Sequence, residues 1–210
     1  MKKNEHKGKF IAFEGLDGSG QTTQVNLLKD SLIKRGFEVI STKEPTWDNE
    51  AGKWVNNTLR QNKKMNSDEL KFLQAKFAED REWHQKNRVE PALKQGKIVI
   101  TDRSQFSSFA FGAASGVNLN YLFSLNEKFI EPDVIILLKV PPKICLGRIH
   151  QRGEKKTLFE KEKQLEKVWD IYEKLAKKFK NIAVVNGEKT IEEIHKNIKI
   201  LITKKGLIKS

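Results

Sequence analysis

A glycine-rich segment near the N-terminus has the spacing of a phosphate-binding loop. Gly15, Gly20 and Thr22 match the two glycines and the hydroxyl residue of the pattern G-x-x-x-x-G-K-[ST]. Glycines let backbone N–H groups curl around phosphate oxygens, and the N-terminus of the next helix adds a partial positive charge. The Thr22 hydroxyl would be a ligand of Mg²⁺. The segment predicts an ATP site built from Gly15, Leu16, Asp17, Gly18, Ser19, Gly20, Gln21, Thr22 and Thr23.

Gln21 stands where the pattern has a lysine. Glutamine donates a hydrogen bond but brings no positive charge to a transition state that spreads negative charge over three phosphoryl oxygens. Losing one neutral donor to an oxyanion costs about 10²–10³ in rate, and replacing a cation should cost at least as much. The sequence therefore leaves two hypotheses open: an active phosphotransferase, or a protein that binds nucleotide and transfers little phosphate.

Charged side chains suited to a second phosphate group follow later elements. Asp102 and Arg103 come directly after an apolar run, and Arg81 lies on a long helical stretch. A carboxylate at the end of a buried strand can hold Mg²⁺ directly or through water. Arginine grips a phosphate dianion with a bidentate geometry that lysine lacks. Phe77, four residues before Arg81, can stack on a flat base.

Two further arginines lie near the start of the chain's last third. Arg148 and Arg152 are four residues apart and share one helix face that leads into Gly153. We expect them to close over the donor phosphates as part of a small mobile lid, at approximately residues 148–160.

Apolar runs of strand length alternate with amphipathic stretches along the chain, and these elements must position the side chains above. The predicted strands are residues 9–13, 37–42, 98–101, 134–138 and 182–185. Predicted helices cover residues 24–35, a stretch from Ser67 to near Gly96, and a C-terminal helix with a Thr190–Glu193 capping box. This alternation predicts an α/β fold with a five-stranded parallel sheet and helices on both faces. Right-handed crossovers place every strand's carboxyl end at one edge, where ligands bind.

Composition narrows the classes of protein. The 210 residues are 38% hydrophobic, which favours one folded domain over disorder, and no window is apolar enough for a membrane span. A secretion signal is not expected after the basic N-terminus, and the single Cys145 excludes an internal disulfide, so a reducing cytoplasm is the expected compartment. The net charge is +13, and residues 143–210 hold 18 basic against 9 acidic side chains. Because glutamates alternate with these lysines, a solvated helix face is favoured over a nucleic-acid surface.

Taken in order, these segments resemble the thymidylate kinase family of P-loop nucleoside monophosphate kinases, over residues 10–172. The resemblance is carried by the phosphate loop with Asp17 and Thr22-Thr23-Gln24, by Lys43-Glu44-Pro45-Thr46, by Phe77-Ala78-Glu79-Asp80-Arg81, by Asp102-Arg103-Ser104 with Ser107 and Phe111, by Pro132-Asp133, and by Arg148, Arg152 and Phe159-Glu160. The order of the pieces, each after the corresponding element, makes the resemblance specific.

The resemblance implies a three-layer P-loop fold over residues 1–210 and the reaction ATP + dTMP giving ADP + dTDP, a step in dTTP synthesis. It implies Mg²⁺ as cofactor, with Thr22 and Asp102 as its ligands, and a cytoplasmic homodimer. Implied catalytic residues are Asp17, Gln21, Asp102, Arg103 and Arg152, with Arg148 on ATP. Implied dTMP-binding residues are Asp17, Glu44, Phe77, Arg81, Arg103, Ser107 and Phe111. Gly112 and Ser104 replace family residues near the base, so strict preference for thymine stays open.

Overall fold

A parallel β-sheet of five strands organises the protein, for which the structure is a computed structural model that describes residues 1–61, 63–151 and 162–208. The strands are β1 (Lys9–Gly15), β2 (Val39–Lys43), β3 (Ile98–Asp102), β4 (Val134–Lys139) and β5 (Ile182–Asn186). Their order in the sheet is β2-β3-β1-β4-β5. β1 therefore lies at the centre of the sheet. The chain builds β2 and β3 on one side of β1 and then crosses to build β4 and β5 on the other side. The point where the strand order reverses is the usual ligand position.

Helices connect the strands and cover both faces of the sheet. They are α1 (Gln21–Ile33), α2 (Glu50–Arg60), α3 (Ser67–His84), α4 (Glu90–Lys94), α5 (Gln105–Ala114), α6 (Leu119–Asn126), α7 (Pro142–Gln151), α8 (Glu162–Lys178) and α9 (Ile191–Lys204). A π-helical turn, Gln85–Val89, joins α3 to α4. Among the described residues, no helix is long and apolar enough to cross a membrane.

Alternate residues of the strands feed two apolar cores, as the period of two along a strand requires. On one face, Ile11 and Phe13 pack with apolar side chains of α1 and α9. On the other face, Ala12 belongs to a larger core with α5 and α8, while Phe10 packs beside α4. The result is three layers, helix, sheet and helix, which is the fold predicted from the sequence.

The predicted strands are all confirmed, with ends that differ by at most two residues. The long helical stretch from Ser67 is confirmed in extent, but the π-helical turn interrupts it, and Asn66 is its N-cap, in a capping box with Glu69. The Thr190–Glu193 capping box of α9 is also confirmed. Most of the predicted lid, residues 152–160, lies outside the described residues.

Candidate active site

The segment between β1 and α1, residues 15–22, forms the expected phosphate loop at the carboxyl edge of the sheet. Gly18 and Gly20 have φ angles of 83° and 98°, in the left-handed region that favours glycine. A Cβ on Gly18 would stand 2.5 Å from the carbonyl oxygen of Cys145, so the loop packs directly against α7. The loop ends at the first turn of α1, whose free N–H groups and positive dipole end favour an anion.

Thr22 and Asp102, the two predicted metal ligands, are brought together by adjacent strands. Phe13 of β1 pairs with Asp102 of β3, and the Thr22 hydroxyl donates to the Asp102 carboxylate at 2.6 Å. A hydroxyl and a carboxylate are hard oxygen donors of the kind that Mg²⁺ prefers, usually completed by phosphate and water. Within residues 1–61, 63–151 and 162–208, no three His, Cys, Asp or Glu side chains group to hold a metal. The hydroxyl and the carboxylate can supply two oxygen ligands to a Mg²⁺ ion that also binds a nucleotide phosphate.

Gln21 is buried within the loop, and only its carbonyl oxygen is satisfied. Arg103 Nη2 donates to Gln21 Oε1 at 3.2 Å, and the Ser19 hydroxyl donates to the same oxygen at 3.4 Å. The amide nitrogen of Gln21 has no hydrogen-bond partner among the described residues. Gln21 lines a polar cavity over the loop, with Asp17, Gly18, Gly20, Thr22, Thr23, Lys43, Asp102, Arg103 and Ile149. Gln21 thus keeps an unused donor within a residue that lines the expected phosphate site.

Arg103 is held by an unusual backbone and by the loop itself. Its φ is 75°, a left-handed value that is uncommon for a non-glycine residue. Its guanidinium donates to Asp17 Oδ1 at 2.6 Å, to the Ser107 hydroxyl at 2.9 Å and to the Gly15 carbonyl at 3.2 Å. Burial works against the charge, but neighbouring anions, above all Asp17, outweigh it and raise the pKa of Arg103. Arg103 is therefore a fixed, permanent cation beside the loop.

A fully buried carboxylate, Glu14, supports this arrangement, and the sequence analysis did not assign it a role. Ser104 and Ser107 each donate both a backbone N–H and a hydroxyl to Glu14, and Tyr172 of α8 adds its hydroxyl at 2.7 Å. Burial raises the pKa of Glu14, and the Arg103 charge together with these hydrogen bonds only partly offsets it. The sequence feature that could have pointed to Glu14 is its position as an acidic residue near the end of an otherwise apolar strand.

A second cavity lies beside the loop and contains the predicted acceptor residues. It is lined by Asp17, Lys43, Glu44, Pro45, Asn56, Leu59, Gln74, Phe77, Arg81, Arg103, Ser104, Ser107, Ser108 and Phe111. Asp17, Lys43 and Arg103 line both cavities. Two ligands bound in the cavities would therefore meet at these three side chains, one of which, Lys43, was not assigned a role from the sequence.

Arg81 is fully buried and is more constrained than expected. Its Nε donates to Glu44 at 2.7 Å, and its two η nitrogens donate to Asn126 and to Ser108. Since a guanidinium has five N–H groups, one hydrogen on each η nitrogen remains for a ligand. His84 donates to the other oxygen of Glu44 at 2.8 Å. Burial opposes the charge of Glu44, but Arg81 and His84 outweigh it and lower the pKa of that carboxyl.

Among the other predicted residues, Arg148 and Leu16 line neither cavity, and Arg152 is not among the residues that the structure describes. Arg148 reaches the carbonyl oxygens of Gly18 and Ser19, each at 3.4 Å, so it lies against the back of the loop. The Leu16 side chain is buried in the core, which leaves only its backbone for a ligand.

Comparison with known proteins gives a consistent result over nearly the whole chain. A family profile described as Thymidylate kinase matches residues 13–198. The chain is similar to a probable thymidylate kinase of Pyrococcus horikoshii, with 41% identity over 93% of this chain and 96% of the relative. It is 40% identical to a probable thymidylate kinase of Thermococcus gammatolerans, over 91% and 94% of the two chains. A thymidylate kinase of Desulfotalea psychrophila is 33% identical, over 93% and 94%.

Proposed function

The chain belongs to the thymidylate kinase family, and on that premise we propose that it transfers a phosphoryl group from ATP to dTMP, giving ADP and dTDP. The observation that carries the proposal is the pair of cavities that share Asp17, Lys43 and Arg103. A cavity over a phosphate loop suits a triphosphate, and an adjoining cavity with two phenylalanines and two arginines suits a nucleoside monophosphate.

On the donor side, the backbone N–H groups of residues 15–22 cradle the β- and γ-phosphates of ATP. The free amide of Gln21 adds a neutral donor, and Arg148 holds the loop carbonyls from behind. Thr22 and Asp102 would hold Mg²⁺, which would neutralise charge on the phosphate oxygens. These groups bind and orient the donor.

On the acceptor side, Phe77 and Phe111 contact the flat base, and Arg103 holds the phosphate of dTMP. Arg81 lines the same cavity in an orientation set by Glu44, and it offers the acceptor one N–H group on each η nitrogen. Asp17 and Ser107 fix the Arg103 guanidinium and thereby the direction of the acceptor phosphate. Phosphoryl transfer then needs no covalent intermediate, because in-line positioning and charge neutralisation supply most of the rate enhancement.

The same proposal extends to the lid, the cofactor, the assembly and the compartment. We treat residues 1–210 as one kinase domain, with a lid at approximately residues 148–160 whose Arg152 stabilises the transferring group. The protein would use Mg²⁺-ATP, act as a homodimer and reside in the cytoplasm.

A coupled assay that follows ADP release tests the function directly. With purified protein, Mg²⁺ and ATP, we expect turnover with dTMP that exceeds turnover with dGMP and dAMP. Background turnover with every nucleoside monophosphate would reject the kinase proposal.

A second candidate is a nucleotide-binding protein that transfers little phosphate, and the neutral Gln21 favours it. Both candidates bind dTMP and ATP, but only the kinase turns them over. Calorimetric titration with dTMP and an ATP analogue must therefore accompany the assay, to show that a protein without turnover still binds its ligands. Tight binding of both ligands together with background turnover would support this second candidate.

A further inference from the structure

Gln74 lines the acceptor cavity, but the proposed mechanism gives its side-chain amide no function. Gln74 lies on α3 and has 2% of its surface exposed. Its carbonyl oxygen has no hydrogen-bond partner in the described part of the chain. A buried polar atom without a partner is unfavourable, and in a native protein it calls for an explanation. A ligand that donates a hydrogen bond in this cavity would supply one.

The neighbouring α5 makes room for this amide. A Cβ built on Gly112 would stand 3.1 Å from the amide carbon of Gln74 and 3.0 Å from both δ carbons of Leu122. These distances are tighter than ordinary van der Waals contact, so any larger residue at position 112 would displace the amide. The absence of a side chain at Gly112 thus leaves room for the Gln74 amide beside α5.

Gln74 also shares a helix face with the residues proposed to hold the acceptor. Phe77 and Arg81 follow it by three and seven positions, and all three line the cavity. A ring stacked on Phe77 therefore has an amide on one side along the helix and a guanidinium on the other. The Gln74 amide and the Arg81 guanidinium would then contact the edge of the base, while Phe77 contacts its face.

We propose that Gln74 is a specificity-determining residue whose carbonyl oxygen accepts the imino N–H of a pyrimidine base. This inference rests on the proposed function, because it assumes that the cavity binds a nucleoside monophosphate. Thymine and uracil carry a hydrogen on N3, whereas N3 of cytosine is itself an acceptor and would face the Gln74 oxygen without a hydrogen between them. The acceptor class is thus a pyrimidine nucleotide with an imino hydrogen.

The role predicts opposite effects on binding and on stability. In Gln74→Leu, the free protein no longer buries an unpaired oxygen, so its melting temperature should rise. The same variant loses the hydrogen bond to the base, so the Kd for dTMP should increase about tenfold. A residue that served only to pack the helix would not separate the two quantities in this way.

Gln105 provides a matched control. It is also a fully buried glutamine with an unpaired carbonyl oxygen among the described residues, but its amide nitrogen donates to the Ile130 carbonyl, away from the cavity. We expect Gln105→Leu to leave the Kd for dTMP unchanged. Gln74→Met, which is flexible and close in size, replaces Gln74→Leu if the latter does not fold.

The decisive experiment is calorimetric titration of wild type and Gln74→Leu with dTMP and with N3-methyl-dTMP, in which the imino hydrogen is blocked. We expect methylation to weaken binding to wild type about tenfold or more and to change binding to Gln74→Leu little. Equal losses in both proteins, or unchanged dTMP affinity in Gln74→Leu, would overturn the assignment. Because only binding is measured, wild type that binds dTMP selectively but does not turn it over refutes the proposed function and leaves the role of Gln74 standing.

Discussion

Restoring a cation at position 21 provides a direct test of how the phosphate loop works. In Gln21→Lys, an ammonium replaces an amide whose oxygen accepts from Arg103 and whose nitrogen has no partner in the described part of the chain. The change therefore adds a charge for the donor phosphates and removes an acceptor from the Arg103 guanidinium. The two consequences act in different states of the protein, so they can be measured separately.

Gln21→Lys should lower the stability of the nucleotide-free protein, because the new ammonium lies near the Arg103 guanidinium. Two unit charges about 4 Å apart repel by about 4 kcal/mol at an effective dielectric constant of about 20. Asp17, 2.6 Å from Arg103 Nη2, neutralises much of this repulsion, which leaves about 1–2 kcal/mol. For a chain of this length, that loss lowers Tm by about 2–8 °C. Bound Mg²⁺-ATP should recover the loss, because the phosphates then lie between the cations.

The gain appears in turnover. By the scale of oxyanion donors, a cation at this position should raise kcat about a hundredfold, measured as ADP release at saturating dTMP. Gln61→Lys, which adds the same charge at an exposed position at the end of α2, should change neither kcat nor Tm beyond error. An unchanged kcat in Gln21→Lys would show that Arg103 already supplies the needed charge and would refute the reasoning.

Three further variants test other parts of the site. Arg103→Lys keeps the charge but cannot reproduce the forked contacts, so kcat/KM for dTMP should fall about 10²–10³, whereas the exposed Arg88→Lys should leave it unchanged. Asp102→Asn should raise the Mg²⁺ concentration for half-maximal turnover about 10–100-fold and leave metal-free dTMP binding intact in calorimetry. The pKa of Glu44 is lowered, so its ionised form stabilises the fold above its ordinary pKa of 4.5, and this stabilisation is lost as pH falls through the lowered value. Urea unfolding at several pH values should show Glu44→Gln about 3–5 kcal/mol less stable than wild type at pH 7 and less sensitive to acid.

Each of these expectations has a contrary result. Wild-type kcat/KM in Arg103→Lys would mean that the bidentate geometry is not used. An unchanged Mg²⁺ requirement in Asp102→Asn would remove that carboxylate from the metal site. Parallel pH profiles for wild type and Glu44→Gln would show that the buried ion pair does not carry the acid sensitivity.

The sequence predicted the fold well because its signals are local. Each strand is a short apolar run, and the loop at residues 15–22 is identified by the spacing of three residues within one turn. Parallel connection then determines which edge holds the strand ends, so the meeting of Thr22 with Asp102 follows without coordinates. Those predictions need only the spacing of apolar residues along the chain and the right-handedness of the strand–helix–strand connections.

The contacts that orient the site were not predictable in this way. Glu44 and Arg81 are separated by 37 positions, and Glu14 and Tyr172 by 158. Which buried donor meets which acceptor depends on helix rotation and register, and hydrophobic periodicity carries little information about either. Gln74 illustrates the limit, because an amide on an amphipathic helix has no distinguishing spacing, and its role emerges only because its oxygen has no partner among residues 1–61, 63–151 and 162–208.

The left-handed backbone of Arg103 bears on how this position can be changed. Any residue with a Cβ is disfavoured there by roughly 1–2 kcal/mol, while glycine adopts the same conformation freely. Arg103→Gly would relieve this backbone cost, but it would also remove the ion pair with Asp17 and the charge that partly offsets the burial of Glu14. The fold thus holds one guanidinium beside the phosphate loop against a backbone preference for glycine, so the local strain and the position of that charge cannot be changed independently.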